Sequence, residues 1–500
     1  MISLVVAFPL LFAFFIVLLD TLRVKRHIIQ VSFLLGAILP ATVLFMGIPK
    51  GEIVGGWNRI SGIEVGISEL NLPFIVGELI LFAFVALYSI SYFDFRDKKT
   101  PKALALLLLL HAGLLGAFIA GDLFNFYIYM EIASVSAFAL ITFSGEPNSR
   151  RAAFKYLMLS LLASYFFVFA IGLIYMETGY LNLILISENA VPSKELNAAV
   201  GIAFASLLLK AGIFPLHSWL PDAHSSAPTP VSAVLSGAVV KAPAYGLILM
   251  FLALPVGGTL RTLAMGTAVV SIFFGITMAL LQRDAKRLLA YHTVSQMGYV
   301  LLGIASLNFL GAAYYALAHS LFKGGLFLSV GALGRKTREL GKFGYRNVPI
   351  MALSVVMLSL AIGGVSPFIG SYAKGLISSG LDGAWKYVLY AGSVGTLISF
   401  TKLNYYLLRG TSEDIKAVWK FSSIFLAFIT LGSGLYLGAV FDPKDIIYVV
   451  LAMVLFFLLK AADIFKKRAH VGFGEIGEEV NVLTAVFILA ILASVLLQGA

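Results

Sequence analysis

Glu131, Lys210, Lys241, His319, Lys323 and Lys374 stand in stretches whose other residues are mostly apolar. A free lysine titrates near 10.4 and keeps its proton at neutral pH. Burial makes a lysine release its proton more readily, and a nearby carboxylate makes it hold on. A buried lysine with a movable carboxylate partner is therefore a proton switch. With Glu131 ionised and close, Lys210 stays protonated; with Glu131 withdrawn, its proton is driven onward. Lys241, His319 and Lys323 are the candidates to receive it, because histidine titrates in the useful range. His319 and Lys323 are spaced i, i+4, which puts them on one face of a helix.

Five more residues are candidate relay groups. His217 and His224 border the stretch that follows Lys210, where Pro215 and Pro221 interrupt any helix, and they can connect Lys210 to the inner water. His292 lies in AYHTVSQMGYV, residues 290–300, and Lys402 in a later apolar stretch. Glu78 is an intramembrane carboxylate whose charge can act on the others from a distance. His111 is read as packing or hydrogen bonding.

Two competing explanations apply. Lysines near a helix end can stretch their amine to the membrane surface; this is weak for Lys210 and Lys241 and stronger for Lys402. Glu131 and Lys210 can also be an ion pair that only orients helices. Against both stands the cost, about 2.5–3.5 kcal/mol for each charge at the centre of a membrane helix.

The elements that must position these groups follow from composition. Of 500 residues, 60% are hydrophobic and 12% charged, and mean hydropathy is +0.96; soluble domains carry about 25% charged residues. Apolar stretches of about 20 residues, each able to cross a bilayer, recur about sixteen times. The ten-residue alternation of a membrane β-barrel is absent. The expected class is an all-α polytopic membrane protein. The net charge of +11 sits in short loops, which argues against nucleic-acid binding. Cysteine is absent, so this chain holds no disulfide, zinc–thiolate site or iron–sulfur cluster, and any redox chemistry belongs to partners. No catalytic constellation and no metal-ligand cluster stands out. The opening MISLVVAFPLLFAFFIVLLD reads as a first span and not as a cleaved signal peptide.

Basic clusters then set the topology. Arg23, Lys25 and Arg26; Arg96, Lys98, Lys99 and Lys102; Arg150 and Arg151; Arg283, Lys286 and Arg287; Arg335, Lys336, Arg338 and Lys342; and Lys466, Lys467 and Arg468 all follow odd-numbered stretches. This pattern puts both termini outside. Two stretches look discontinuous, one around Pro215 and one in GGVSPFIGSYAK, residues 363–374. They lie an odd number of spans apart, so they run in opposite directions. Paired interrupted helices point to an ion path between inverted repeats. The expected division is residues 1–102 as N-terminal helices, 103–254 and 255–410 as two inverted five-helix repeats, and 411–500 as C-terminal helices.

LLLKAGIFPLHSWLPDAHSSAPTPVSA (207–233), RDAKRLLAYHTVSQMGYVLLG (283–303), AHSLFKGGLFLSVG (318–331) and GGVSPFIGSYAK (363–374) carry a resemblance. The sequence resembles the antiporter-like subunits of respiratory complex I, Mrp-type cation/proton antiporters and membrane-bound hydrogenases, over roughly residues 70–410. The resemblance implies the repeats and the roles: Glu131 paired with Lys210, Lys241 as the central lysine, His319 and Lys323 as an HxxxK pair, and Lys374 as the terminal lysine that some relatives replace by glutamate. Gln296 stands where many relatives carry histidine. About two apolar segments, at 446–498, exceed the usual number of spans. The lysine at 374 is compatible with Mrp-type and hydrogenase-type relatives and with one branch of complex I. The hydrogenase-type likeness and the absence of cysteine suggest an archaeal host.

The expected function is movement of protons, with Na⁺ as a possible counter-ion, by a subunit of a hetero-oligomeric complex in the plasma membrane. Metal clusters are expected only in partner subunits. The alternatives are a non-conducting structural subunit and a stand-alone carrier of a small solute.

Overall fold

The computed structural model describes residues 2–45, 51–145, 147–466 and 476–495; Lys467 and Arg468 lie outside the described residues. Each of the apolar stretches carries helix, and among the described residues eleven helices are long and apolar enough to cross a membrane. The chain is a multi-pass helical membrane protein. Its helices are sorted by burial. Every residue in the apolar windows of Thr229–Ala253 and Ala285–Ala305 is buried, against 33% for the outlying Leu4–Thr21. Lys241 and His292 sit on these two buried helices, and His319 and Lys323 on Phe309–Leu333, 94% buried, where a charge has protein and not lipid around it.

Some boundaries differ from the sequence reading. The stretch expected at 155–177 is a 32-residue helix, Pro147–Thr178. Part of the expected loop at 49–69 forms a two-stranded antiparallel hairpin, Gly51–Ile53 with Glu64–Gly66. Polar side chains set two helix starts that hydropathy misses. Asp122 caps Leu123–Ile141 by accepting from Asn125 N at 2.8 Å. Asp284 caps Ala285–Ala305 by accepting from Arg287 N at 2.8 Å. Each is a favoured N-cap residue. Burial pushes both carboxyls above the usual aspartate range, and the capped N–H groups pull the other way. Asp122 also bridges to Asn182, and Asp284 to Glu339.

Both expected discontinuities are present, and glycine makes them. Lys194–Ala211 ends at Gly212, whose φ of 66° is left-handed. The chain unwinds through Pro215 and resumes as Trp219–Ser226, with Pro221 accommodated in the first turn and not interrupting it. The first break thus begins before the proline. Pro349–Gly363 ends at Gly364, φ 82°, and resumes as Ile369–Ser379. Only glycine adopts this conformation freely. A third irregularity has no counterpart in the sequence reading. Leu235–Val239 is a π-helical turn within the buried stretch Thr229–Ala253, shortly before Lys241. Such turns widen a helix by one residue and recur at functional sites.

The C-terminal helices, whose contacts the sequence leaves open, lie on elements next to the breaks. Lys444–Ala461 packs along Ala384–Arg409. From its first turn Asp445 Oδ2 accepts from Ser366 N at 2.6 Å and from Ser366 Oγ, inside the second break. Ile476–Val495 packs along Lys194–Ala211, close enough that a β-carbon on Gly201 would come within 2.7 Å of Ala490 O.

The halves of the second broken helix meet at Gly370, where an added methyl would collide with Ala361 O. Gly370→Ala is expected to destabilise the protein by about 1–3 kcal/mol through overpacking. Gly375→Ala lies in the same half-helix with nothing within 4 Å of its added methyl and is expected to be neutral or stabilising by under about 1 kcal/mol. Thermal melting of the two variants side by side in detergent checks the difference.

Candidate ion path

The first group of the path is an ion pair. Lys210, in the last turn before the first break, donates from Nζ to Glu131 Oε1 at 2.7 Å. It also reaches Ser160 Oγ at 3.2 Å and Ser134 Oγ at 3.4 Å. Ser164 Oγ donates to the same Glu131 oxygen at 2.6 Å. The lysine side chain is 4% exposed and the carboxylate 18%, so the acid has the freer side on which to move. A cavity about the size of one water lies beside this pair. Lys210, Ser134, Tyr156 and Ser160 line it together with Val239, Ala242 and Pro243 from the stretch Thr229–Ala253, and Lys241 does not.

Lys241 follows the π turn and is fully buried. Its Nζ donates to Ser236 O and meets His319 Nδ1. One helical turn on, Lys323 Nζ donates to Leu289 O and lies 5.4 Å from the centre of the Phe327 ring. His292 lies on the helix that contains Leu289. Its ring packs on Phe400 at 4.7 Å, and neither ring nitrogen has a protein partner. Phe400 shares the helix Ala384–Arg409 with Lys402, which donates to Leu280 O and Gln282 O, both at 2.6 Å. Lys402 is therefore buried and satisfied by the carbonyls at the end of Gly258–Leu281. Lys374 donates to Ile362 O at 3.2 Å, Gly363 O at 3.0 Å and Ser393 Oγ at 3.0 Å, with its ammonium 4.9 Å from the Tyr299 ring centre.

The remaining candidates take other positions. Glu78 pairs with His111 Nδ1 at 2.8 Å, and the His111 ring stacks on Phe82 at 4.0 Å. That pair is buried, and neither the other Glu78 oxygen nor His111 Nε2 has a protein partner among the described residues. His217 lies in the first break against Phe214 and Phe274. His224 is buried beside Phe327, with both ring nitrogens unpartnered, so it stands near Lys323 and not at the surface. Gln296 accepts from Tyr315 Oη, which ties it to tyrosine and leaves the imidazole on this helix to His292.

Lys286 corrects the sequence reading. Its place between Arg283 and Arg287 makes it look like a loop cation, but it is buried and donates to Ala227 O at 3.0 Å and Ser232 Oγ at 3.3 Å. A local signal does place it: an Asp284 N-cap starts the helix before the hydropathy does and puts Lys286 in its first turn. Asp445 escapes sequence reasoning altogether. It lies about eighty residues from the motif it touches, beyond the reach of local spacing.

Among these cations Lys210 alone has a carboxylate ligand. Removing one partner of such a pair leaves the other charge stranded, at about 3–5 kcal/mol. Lys210→Met and Glu131→Gln are each expected to lower the melting temperature clearly. The double variant is expected to recover most of the loss, so melting of all three in detergent reads the coupling directly.

Innermost helices that carry a line of buried amines and imidazoles define an antiporter-type membrane subunit. The chain belongs to the NADH:quinone oxidoreductase/Mrp antiporter transmembrane family, whose model matches residues 120–399. It is 37% identical over 392 residues to NADH-quinone oxidoreductase subunit N of Desulforudis audaxviator, covering 74% of this chain and 77% of that one. It is 30% identical over 464 residues to a Na⁺/H⁺ antiporter subunit of Alkalihalophilus pseudofirmus, covering 85% and 92%. Among solved structures, a chain of the membrane-bound sulfane sulfur reductase, an archaeal respiratory membrane complex, superposes with a TM-score of 0.78 at 25% identity, covering 92% of this chain and 99% of that one.

Proposed function

We propose that this chain is the proton-conducting subunit of a larger plasma-membrane complex. Protons pass along Glu131, Lys210, Lys241, His319, Lys323 and then, by way of His292, to Lys374 or Lys402. The observation that carries this reading is the Lys241–His319 contact, because it joins helices from the two halves of the chain through two groups that both exchange protons. A merely structural pair has no need of two bases.

Sixteen crossings, with both termini outside, fit this reading. So do inverted repeats at 103–254 and 255–410. The second helix of each repeat starts on a capping aspartate, Asp122 or Asp284, which bridges to a residue that follows the third helix, Asn182 or Glu339. Each repeat also holds one glycine-ended break. In this scheme the driving event lies in other membrane subunits. It is either a redox reaction at metal clusters that those subunits carry or an opposing Na⁺ gradient. The relatives named as subunits of an oxidoreductase and of an antiporter support assembly with such partners.

In sealed vesicles the intact complex carrying Lys241→Ala, at wild-type assembly, is expected to lose driven proton movement down to the leak of vesicles without the complex. Internal pH and Na⁺ recorded together identify the ion that stops. Unchanged movement of both ions would make this chain a structural subunit.

A further inference from the structure

The oxygens around Lys374 do what oxygens around a bound alkali cation do. Ile362 O and Gly363 O are carbonyls at the C-terminal end of a half-helix, set free because the helix stops at Gly364. Ser393 Oγ adds a third oxygen from the helix Ala384–Arg409. The Tyr299 face lies on another side. Gly364 leaves no room to spare: a β-carbon there would come within 2.7 Å of Lys374 Cδ. Beyond the break, Asp445 holds Ser366 through its backbone N–H and hydroxyl and supplies a negative charge with no lysine or arginine partner of its own among the described residues. Half-helix C-terminal carbonyls carry partial negative charge, and broken helices in transporters use such carbonyls to hold Na⁺. Lys374 is a cation delivered to this cluster on a tether.

We propose that Ile362 O, Gly363 O and Ser393 Oγ form a Na⁺ site that protonated Lys374 fills and that Na⁺ takes over when Lys374 gives up its proton and swings away. The exchange balances: one proton leaves the amine, one Na⁺ enters, and the site keeps a single positive charge. The proposal rests on the conduction reading in that the released proton travels the path above. It names the place where the two ions meet.

Lys210 differs in kind, because its ligands are the side-chain oxygens of Glu131, Ser134 and Ser160 and include no half-helix carbonyl. Lys402 has two carbonyls but no hydroxyl. The other titratable groups around Lys374 are Tyr299 and His292 on Ala285–Ala305, Tyr315 behind Tyr299, Tyr372 on its own half-helix, and Asp445. Substitutions at Lys374 itself separate its contribution from theirs.

The test is ²²Na⁺ binding to the purified intact complex over a pH series, at constant ionic strength with choline as the replacement cation. In wild type, competition with one proton makes apparent Na⁺ affinity rise about ten-fold per pH unit while the lysine stays mostly protonated. Lys374→Met removes the tether and is expected to bind one additional Na⁺ with little pH dependence. Ser393→Ala placed on that background is expected to weaken it. Lys374→Arg keeps a charge that cannot be lost and is expected to remove this Na⁺ at every pH. Equal Na⁺ binding by wild type, Met and Arg forms would overturn the proposal. If the Met form fails to assemble, wild type against the Arg form at alkaline pH decides; if neither variant assembles, a wild-type affinity that does not change with pH overturns it. The conduction reading is read separately, by driven proton movement in vesicles, so its failure and failure of this site, read by Na⁺ binding to the Lys374 variants, are told apart.

Discussion

A buried ammonium group must find oxygen, and this requirement organises the centre of the molecule. Lys210 finds a carboxylate. The others rely on the backbone: Lys241 on Ser236 O, Lys286 on Ala227 O, Lys323 on Leu289 O, Lys374 on Ile362 O and Gly363 O, and Lys402 on Leu280 O and Gln282 O. An uninterrupted helix has few carbonyls to lend, since each accepts from the residue four further on. The irregularities are where most of those carbonyls come from. Gly364 ends a half-helix beneath Lys374, the π turn lies beneath Lys241, Ala227 follows the short helix Trp219–Ser226, and Leu280 and Gln282 stand at the end of Gly258–Leu281. The second break, the π turn and the helix ends thus solvate charges that lipid would reject, while the charge beside the first break is held by the side chains of Glu131, Ser134 and Ser160.

This arrangement also suits transfer. A carbonyl solvates an ammonium without taking its proton, and it does not compensate the charge as a carboxylate does. Lysines held this way are each ready to pass a proton on, and the one lysine with a carboxylate, at Lys210, is where the positive charge is most firmly held. The ligands of Lys210 do not include Lys241, so in the proposed path the step between them needs water or a side-chain movement, while the Lys241–His319 step needs neither. Control of the proposed path is therefore concentrated at its Glu131 end.

Much of this is legible in the sequence, for definite reasons. Charges in an apolar background are conspicuous, so all six central groups stand out by type, and Gly with Pro marks both breaks. The remainder depends on three-dimensional neighbours. Nothing local announces the π turn at Leu235–Val239, since LSGAV is unremarkable in a membrane helix. Lys286 looks like a loop cation because hydropathy averages over its flanks, although Asp284 is there as a cap. Asp445 and Ser366 meet across about eighty residues. Lys402 reads as able to reach the membrane surface, and only the fold supplies the end of Gly258–Leu281 to receive it.

The central claim is that Glu131 and Lys210 are a switch and not a strut, and exchanging their charges tests it most directly. The variant Glu131→Lys/Lys210→Glu restores an ion pair of opposite polarity and puts a carboxylate where the Lys210 amine stood beside the small cavity. The account predicts that the intact complex assembles and melts near wild type yet moves no protons in sealed vesicles, because no amine now faces the next lysine. Proton movement at the wild-type rate in that variant would contradict the account and leave the pair as a support for the helices alone.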